Sequence, residues 1–503
     1  MNNKEKTRET ANEQANPVKT RVYVLYTGGT FGMAPDVTTP GHPLRPMELS
    51  NLLRSLPSAD DLATGADITL ERFTHLLDSS SMTPKDWQDI AERIEENYEN
   101  HDGFVIIQGT DTLSYTASAL SFILENLSKP VVVTGSQLPL HNPRTDALLN
   151  YGHSLMIAAY KVTNLPKIPE VIVVFADKII RGCRTRKMSA SSWTGFESPN
   201  CPPLGEIGEH MRIFENQIRP GPAAGLDLQL NLPLVPDVLD ISLFPGLRAD
   251  HLEQILKLDN VEGVVFRTYG TGNAPEDEAF LSALRNGIQQ DNKTIVNITQ
   301  CPQGAVEMGL YAASIGLQDN GVISGLDMTP EAALTKLMVT LGTRAGEQVK
   351  LQMQVNQRGE QSQNLFDLSF KPTDLTGQPH SDFVVPDRRF DPKVLSAAVL
   401  RMKTVSVEIA SGTRNPVIDV YMNAPRASAQ SIAEVDHPRR IHRIDLNQVD
   451  FTDGSTMDVV ESLSNERIKN IIGDSDIVLT FVASPGVKYG FDKLSLSIFT
   501  QAS

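Results

Sequence analysis

Four short polar segments carry side chains suited to nucleophilic or acid–base chemistry. They are TGGTFGM (27–33), DSSSMTP (78–84), QGTDTLSYTAS (108–118) and RGCRTRK (181–187). Between them they hold hydroxyl groups, carboxylates and an amine. A threonine hydroxyl is a weak nucleophile until a neighbouring base or cation activates it. Together these segments could therefore form the site of a hydrolase that works through a threonine.

The TGGTFGM segment also has a simpler structural explanation. It directly follows an apolar run, and its glycines suit a tight turn. Phosphate binding is not favoured, because GGxxG is not GxGxxG and no GxxxxGK[ST] occurs in the chain. As part of a hydrolase, the glycines would let a substrate approach the backbone while Thr30 presents its hydroxyl. Taken alone, the motif favours the turn.

Each of the other three segments, taken alone, also fits either a structural or a functional role. In QGTDTLSYTAS, Asp111 and Thr112 could cap a helix, although a helix N-terminus also suits an Asp that holds a substrate beside Thr110. Ser79 could bind a carboxylate or order its loop. Lys187 could lie in solvent or activate a buried Thr–Asp pair. No single motif decides between structure and chemistry.

The elements that must position these segments are strands and helices in alternation. Short, uniformly apolar runs lead into Gly/Thr/Ser loops, and stretches with helical spacing lie between them. These segments are VYVLYTGGT (22–30), FVIIQGTDT (104–112), VVVTGSQ (131–137) and VIVVFADK (171–178). Such strands predict a parallel sheet covered on both faces. Ligands of these sheets bind beyond the carboxyl ends of the strands, and the Gly/Thr/Ser loops follow those ends.

The whole chain predicts an α/β fold with an added β domain. We expect a disordered tail (1–20), a parallel-sheet N-terminal domain (21–217), a linker (218–236), a smaller α/β domain (237–360) and a β-sandwich-like extension (361–503). The extension is predicted from segments that alternate polar and apolar residues between turns. A helix is expected within it over 455–472. Because every candidate catalytic residue precedes Gly359, a fragment ending near Arg358 is predicted to fold and be active.

Composition narrows the class of protein. The 503 residues carry a formal charge of −16, which does not favour nucleic-acid binding, and no run approaches the ~20 apolar residues of a membrane span. The first twenty residues lack the apolar core of a secretory signal. Three scattered cysteines favour a reducing compartment, and no HExxH motif offers zinc ligands. We therefore expect a cytoplasmic protein without metal or cofactor, and without nucleic-acid or membrane partners.

The order of the motifs is more specific than any one of them. TGGT, DSS-M, GTDT, TGSQ and a lysine-bearing basic turn follow one another as in the bacterial-type asparaginase/glutaminase family, which this chain closely resembles. The segment FVIIQGTDTLSYTASALSFILENLSKPVVVTGSQLPL (104–140) is similar to the type I, cytoplasmic branch. The resemblance covers about 22–359 and includes YGTGNAP (269–275), NITQCPQG (297–304) and GLDMTPEAALTKL (325–337). The extension resembles no family known to us.

The resemblance implies hydrolysis of L-asparagine to L-aspartate and ammonia, with two catalytic threonines. The primary nucleophile falls on Thr30, and the second threonine falls on Thr110, with Asp111 and Lys187 completing a Thr–Asp–Lys set. Covalent catalysis would divide amide hydrolysis into acylation and deacylation. Thr30 is assigned the first attack, and Thr110 the activation of water or relay of protons. The sequence alone is compatible with the reverse order of the two threonines.

Substrate-binding residues follow from the same resemblance. Asp111 would hold the α-ammonium group of the substrate, and Ser79 its α-carboxylate, with Asp78 beside it. Asn273 matches a position that family members supply from a neighbouring subunit, so a homodimer or homotetramer is expected. Positions of a second, regulatory asparagine site in type I relatives fall on Arg267, Thr299 and Cys301.

Two features depart from the family pattern. Its tyrosine that assists the nucleophile is missing between Phe31 and Ser50, where His42 lies near the expected place. This leaves open how Thr30 is activated. In the regulatory site, Arg186 replaces a smaller residue.

Three other functions compete with asparaginase. A glutaminase–asparaginase of broader specificity differs little, since one methylene changes discrimination by only ~1–3 kcal/mol. An archaeal-type amidotransferase subunit acting on charged tRNA is not favoured by the acidic charge or by the absence of an added N-terminal domain. A catalytically inactive amino-acid sensor is not favoured by the intact Thr30, Thr110, Asp111 and Lys187.

Overall fold

The computed structural model describes residues 20–36, 38–42, 44–46, 65–308, 312–370, 380–385, 395–424, 439–448, 456–463, 468, 469, 471 and 477–501. The expected tail therefore lies outside the described residues except for its last position. The chain forms two compact units. The first comprises the chain up to Glu197 together with Pro203–Leu230, and the second comprises Ser198–Pro202 with the chain from Asn231 onward. Among the described helices, none is long and apolar enough to cross a membrane.

The first unit is built on an eight-stranded sheet. Its strands are β1 (Arg21–Gly28), β2 (Asp67–Leu77), β3 (Gly103–Ile107), β4 (Val131–Thr134), β5 (Val171–Phe175), β6 (Lys178–Arg181), β7 (Gly205–Ile207) and β8 (Met211–Ile213). They lie in the order β8-β7-β6-β5-β4-β3-β1-β2. Neighbours from β2 to β5 run parallel, whereas β6, β7 and β8 each pair antiparallel. The predicted parallel sheet is confirmed.

Three longer helices accompany this sheet: α1 (Pro84–Asn97), α2 (Leu113–Ile123) and α3 (Ala147–Ala158). Helix α1 begins as its sequence predicts, with Pro84 in the first turn and a capping box between Thr83 and Asp86. Strands β3, β4 and β5 are buried along their whole length, as expected for a sheet covered on both faces.

The second unit contains a smaller parallel sheet with helices. Its elements are β9 (Val238–Ser242), α4 (Ala249–Leu256), β10 (Gly263–Thr268), α5 (Glu278–Gln289), β11 (Thr294–Thr299), α6 (Ala312–Asp319), β12 (Ile323–Ser324), α7 (Pro330–Thr343) and α8 (Glu347–Gln354). The four strands lie in sequence order and are all parallel. Parallel neighbours place the ends of β10 and β11 at one edge, where the segments 269–273 and 300–308 begin.

The predicted β-sandwich-like extension is confirmed as two antiparallel sheets. Its strands are β13 (Gln363–Phe370), β14 (His380–Val385), β15 (Leu395–Ile409), β16 (Val417–Met422), β17 (Arg440–Asp445), β18 (Thr456–Leu463), β19 (Ile477–Ala483), β20 (Val487–Gly490) and β21 (Lys493–Gln501). One sheet has the order β13-β21-β15-β18 with β20 paired to β15, and the other has β14-β19-β16-β17. Residues of both sheets, including Leu400 and Phe481, form one apolar core.

The helix expected over 455–472 is wrong in its first half. Strand β18 occupies 456–463 and pairs with β15. Val459 and Leu463 are its buried residues, four positions apart, which is a spacing that also fits a helix. Pairing with a distant strand decided the conformation. In the remainder, the structure describes residues 468, 469 and 471, which are helical.

A buried ion pair lies where the α/β part of the second unit meets the extension. Lys336 of α7 contacts Glu360 at 2.5 Å, and both side chains are fully buried. The Lys336 ammonium group also donates to the carbonyl oxygen of Val355 at 2.8 Å. Two residues further on, the N–H and hydroxyl groups of Ser362 donate to Asp327 at 2.8 and 2.6 Å. The start of the extension is therefore bonded to the α/β part.

Candidate active site

The candidate site is built where three neighbouring strands of the first unit end. Because β2, β1 and β3 are adjacent and parallel, the loops after them meet at one edge. Glycines allow the loops to approach closely: a Cβ atom at Gly28 would collide with the carbonyl group of Leu77, and one at Gly29 with the backbone of Gly109. Both Gly28 (φ 129°) and Gly29 (φ 82°) also adopt positive φ angles.

This glycine contact brings the two candidate threonines to neighbouring positions. Thr30 directly follows Gly29 and begins a short 3₁₀ helix, Thr30–Gly32, with its side chain half-buried. Thr110 directly follows Gly109 and is buried. The structure therefore places one half-buried threonine and one buried threonine on loops in backbone contact.

The DSSSMTP loop (78–84) is hydrogen-bonded to the loop that carries Thr110. Ser79 is buried, its hydroxyl oxygen accepts the N–H of Asp111 at 3.3 Å, and its carbonyl oxygen accepts the Thr112 hydroxyl at 2.8 Å. Asp78 caps the turn by accepting the Ser80 N–H at 3.0 Å. Ser79 is thus bonded to Asp111 and Thr112, while Asp78 orders its own loop.

Lys187 joins the candidate site from a separate hairpin. Its ammonium group donates to the Thr110 hydroxyl at 2.9 Å and to the Asp111 carboxylate at 2.8 Å. The side chain of Lys187 is 19% exposed, and that of Asp111 is 62% exposed. Backbone pairing of Lys187 with Phe196 fixes the hairpin register. A shielded cation in contact with a buried hydroxyl stabilises the deprotonated oxygen electrostatically, which is what a proton relay at an alcohol needs.

Comparisons with known proteins agree with this arrangement. A family model described as "Asparaginase, N-terminal" matches residues 21–219, and one described as "Glutaminase/Asparaginase C-terminal domain" matches residues 237–353. L-asparaginase 1 of Escherichia coli is 42% identical over 350 residues, which cover 68% of this chain and 98% of that protein. The chain belongs to the asparaginase family.

Two further relatives show how far the similarity extends. The crystal structure of L-asparaginase I from Vibrio cholerae superposes with a TM-score of 0.61 at 39% identity, covering 68% of this chain and 99% of that one. The 60 kDa lysophospholipase of Mus musculus is 38% identical over 341 residues, covering 64% of this chain and 58% of that protein. In each comparison about a third of this chain is unmatched, and both asparaginase family models end before the extension begins.

A buried tyrosine, Tyr26, packs against the short helix that begins at Thr30. Burial raises the pKa of Tyr26. A Cβ atom at Gly32 would collide with its hydroxyl group, so Tyr26 packs on the end of the Thr30–Gly32 helix. His42, which lies near the expected place of the family's loop tyrosine, is exposed, and its Nδ1 atom lies 3.4 Å from the Asp36 carbonyl oxygen.

The sequence analysis did not identify two polar residues, Asp146 and Asn150, that hold the TGSQ loop (134–137) of the first unit. The carboxylate of Asp146 accepts the N–H groups of Gln137 and Leu138, both at 3.0 Å through Oδ1, and the amide of Asn150 donates to the Gly135 carbonyl at 2.9 Å. Asp146 and Asn150 are four residues apart in DALLN (146–150), so they lie on one face of a helix, and this spacing was the available sequence signal. Gly135 in turn packs on the carbonyl of Gln108, which precedes the loop that carries Thr110.

Asn273 lies in the second unit, on a tight turn that belongs to the asparaginase C-terminal domain. The N–H of Asn273 donates to the Tyr269 carbonyl at 2.8 Å, and the N–H of Tyr269 donates back at 3.0 Å. Gly272 adopts φ 111°, and a Cβ atom there would collide with Val306. The turn is therefore held by its own backbone hydrogen bonds and by packing against Val306.

The structure places the three candidate regulatory residues near the ends of β10 and β11. Thr299 donates to the Gly270 carbonyl at 2.6 Å, and its hydroxyl oxygen accepts the N–H of Cys301 at 3.0 Å. Arg267 contacts Asp240 on the neighbouring strand at 2.8 Å. Thr299 and Cys301 are thus brought together, while the guanidinium group of Arg267 is paired within the sheet. Among the described residues, no group of three or more His, Cys, Asp or Glu side chains is placed to hold a metal ion.

Proposed function

We propose that this member of the asparaginase family hydrolyses the side-chain amide of L-asparagine to L-aspartate and ammonia. The observation that carries the proposal is the position of the Lys187 ammonium group, 2.9 Å from the Thr110 hydroxyl and 2.8 Å from the Asp111 carboxylate. These residues come from two distant parts of the chain, and the contacts agree with the Thr–Asp–Lys set that the motifs imply.

In the first step, the hydroxyl oxygen of Thr30 attacks the amide carbon of the substrate. The C–N bond breaks, the amide nitrogen leaves as ammonia with the proton given up by Thr30, and an aspartyl ester remains on Thr30. Thr30 suits this role because it is half-buried, and therefore reachable, and because glycines frame the loop that carries it. The buried Thr110 suits proton relay better than direct attack.

In the second step, water cleaves the ester and releases L-aspartate. Thr110, whose oxygen contacts the Lys187 cation, takes a proton from that water while it passes its own hydroxyl proton to the departing Thr30 oxygen. The 2.9 Å contact supports this assignment because it holds the Lys187 cation beside the Thr110 oxygen that relays the proton.

Binding of the amino-acid end of the substrate is assigned to the loop around Ser79. The exposed carboxylate of Asp111 receives the substrate ammonium group, and Ser79, with Asp78 beside it, receives the substrate carboxylate. Asn273 completes the site from a neighbouring subunit, so the active form is a homodimer or homotetramer. We place the enzyme in the cytoplasm and assign Arg267, Thr299 and Cys301 to a second, regulatory asparagine site.

The proposal is tested by ammonia release from the purified full-length protein. L-asparagine and L-glutamine are supplied separately at equal concentration, and ammonia is measured together with the amino-acid product. We expect equimolar ammonia and L-aspartate from L-asparagine, and slower turnover of L-glutamine. A folded protein that releases no ammonia from either substrate refutes the proposed function. Faster turnover of L-glutamine corrects the substrate.

A further inference from the structure

Strand β15 of the extension directs one charged side chain away from the sandwich core. Leu400 and Met402 are buried in that core, and successive residues of a strand point to opposite faces. Arg401 between them therefore lies on the outer face of its sheet. On this face, Leu365, Ser497 and Phe499 line a small cavity together with Met308 and Gln318 of the α/β part.

Arg401 binds the α/β part of the second unit directly. Its guanidinium group donates to the carbonyl oxygen of Met308 at 2.8 Å and bonds the side-chain oxygen of Gln318. Gln318 belongs to α6, and Met308 is the last described residue of the segment that precedes this helix. A planar guanidinium group with several fixed donors suits a contact with two acceptors better than a lysine does.

The segment 306–308 is bonded in turn to the loop that carries Asn273. The N–H of Glu307 donates to the Thr271 carbonyl at 2.9 Å, and the N–H of Val306 donates to the Leu326 carbonyl at 3.0 Å. The side chain of Val306 packs where Gly272 has no Cβ atom. A continuous set of bonds therefore runs from Arg401 through 306–308 to the residues immediately before Asn273.

We propose that Arg401 is a positioning residue for Asn273, so that the C-terminal extension holds the substrate-binding loop 269–273 in place through the segment 306–308. The proposal rests on the proposed function in that Asn273 contacts L-asparagine. It assigns the extension a role in substrate binding, although the extension lies outside the matched asparaginase family models.

Hydrogen exchange of the full-length protein tests the structural part of the proposal without reference to activity. The amide of Asn273 is bonded to Tyr269 and that of Glu307 to Thr271, so peptides covering 269–273 and 306–308 report on the loop. Arg401→Met should raise their exchange rates about 10-fold or more, the expected loss for a hydrogen bond to a charged group. Lys488→Met is the matched control, because it removes an exposed cation of the extension that pairs only loosely with Glu408 at 3.6 Å.

Equal exchange rates of these peptides in Arg401→Met and Lys488→Met overturn the proposal. Should Arg401→Met not fold, Gln318→Met removes one acceptor of Arg401 and leaves the extension unchanged. It is expected to raise exchange of the same peptides by a smaller factor than Arg401→Met. Unchanged exchange in a folded Gln318→Met protein then counts against the proposal.

A double-mutant cycle in steady-state kinetics tests whether Arg401 acts through Asn273. Arg401→Met alone should raise KM for L-asparagine about 5-fold and change kcat less than about 2-fold, because substrate binding is what it disturbs. In the Asn273→Ala background the same substitution should have no further effect. Equal losses in both backgrounds overturn the positioning role. A wild-type protein without turnover refutes the proposed function instead, and the exchange measurement still decides the role of Arg401.

Discussion

The ion pair between Lys336 and Glu360 allows a quantitative prediction about the stability of the second unit. Burial acts to raise the pKa of the Glu360 carboxyl, but the Lys336 cation and the N–H groups of Arg358 and Gln357 outweigh it and hold the pKa at about 2, below the usual 4.5. A difference of about 2.5 pKa units corresponds to about 3 kcal/mol at neutral pH. Glu360→Gln should therefore lower the free energy of unfolding by about 3–5 kcal/mol, since it leaves Lys336 buried without a counter-charge.

The pH dependence follows from the direction of this shift. The pKa of Glu360 is depressed in the folded protein, so its stabilising contribution is fully present above about pH 4.5 and is lost as the pH falls toward 2. The difference in unfolding free energy between wild type and Glu360→Gln should therefore shrink by about 2 kcal/mol between pH 7 and pH 3.

Urea unfolding followed by far-UV circular dichroism measures this difference. Tryptophan fluorescence is the internal control, because both tryptophans, Trp87 and Trp193, lie in the first unit. Glu347→Gln is the matched variant, since it removes an exposed carboxylate of the second unit. If Glu360→Gln and Glu347→Gln lose the same free energy at pH 7, or if the loss does not depend on pH, the reasoning is refuted.

The same pair bears on the fragment ending near Arg358. That fragment lacks Glu360, so Lys336 would keep a buried charge with no carboxylate. It would also expose Leu351 and Val355, which pack against the core of the extension. We therefore expect the fragment to be less stable than the full chain, and Lys336→Met to recover part of the loss. A fragment as stable as the full chain would show that the pair contributes little.

Three further predictions concern the candidate site. Thr30→Ala and Thr110→Ala should each lower kcat at least ~10²-fold in a coupled ammonia assay while the melting temperature is retained, and near-normal turnover in either variant excludes it from catalysis. Mixing Thr30→Ala subunits with weakly active Asn273→Ala subunits should raise the turnover above the sum of the two separate variants through hybrid oligomers, and a fully active monomer in light scattering would rule this out. Gly29→Ala should destabilise the first unit by about 1–3 kcal/mol and abolish turnover, because the new Cβ atom would collide with the backbone of Gly109 and because residue 29 has a positive φ angle. Unchanged turnover would show that this contact between the two loops is not needed for activity.

The fold was predictable wherever local patterns carry the information. The parallel sheet follows from uniformly apolar strands, and the start of α1 follows from Thr83 and Pro84. Strand β18 was mistaken for a helix because Val459 and Leu463 have a spacing that fits both structures, and only pairing with β15 separates them. Local sequence does not contain that pairing.

The sequence predicted which residues belong to the candidate site, but it did not predict the contacts between them. The motifs identify Thr110 and Lys187, but their contact depends on a hairpin register 77 residues away along the chain. The Arg401 contact with Met308 spans 93 residues and joins the extension to the segment that follows β11. Such contacts arise from packing between distant segments, so periodicity and motif spacing cannot reveal them.

The kinetic effect of removing the Lys187 ammonium group tests the central claim most directly. Full-length wild type, Lys187→Met and the matched control Lys167→Met, which removes an exposed lysine of the same unit, are compared for release of ammonia and L-aspartate from L-asparagine. The account predicts equimolar products from wild type and Lys167→Met, and a kcat at least ~10²-fold lower for a folded Lys187→Met protein. Turnover by Lys187→Met equal to that of Lys167→Met would contradict the claim that Lys187, Thr110 and Asp111 act together on the amide.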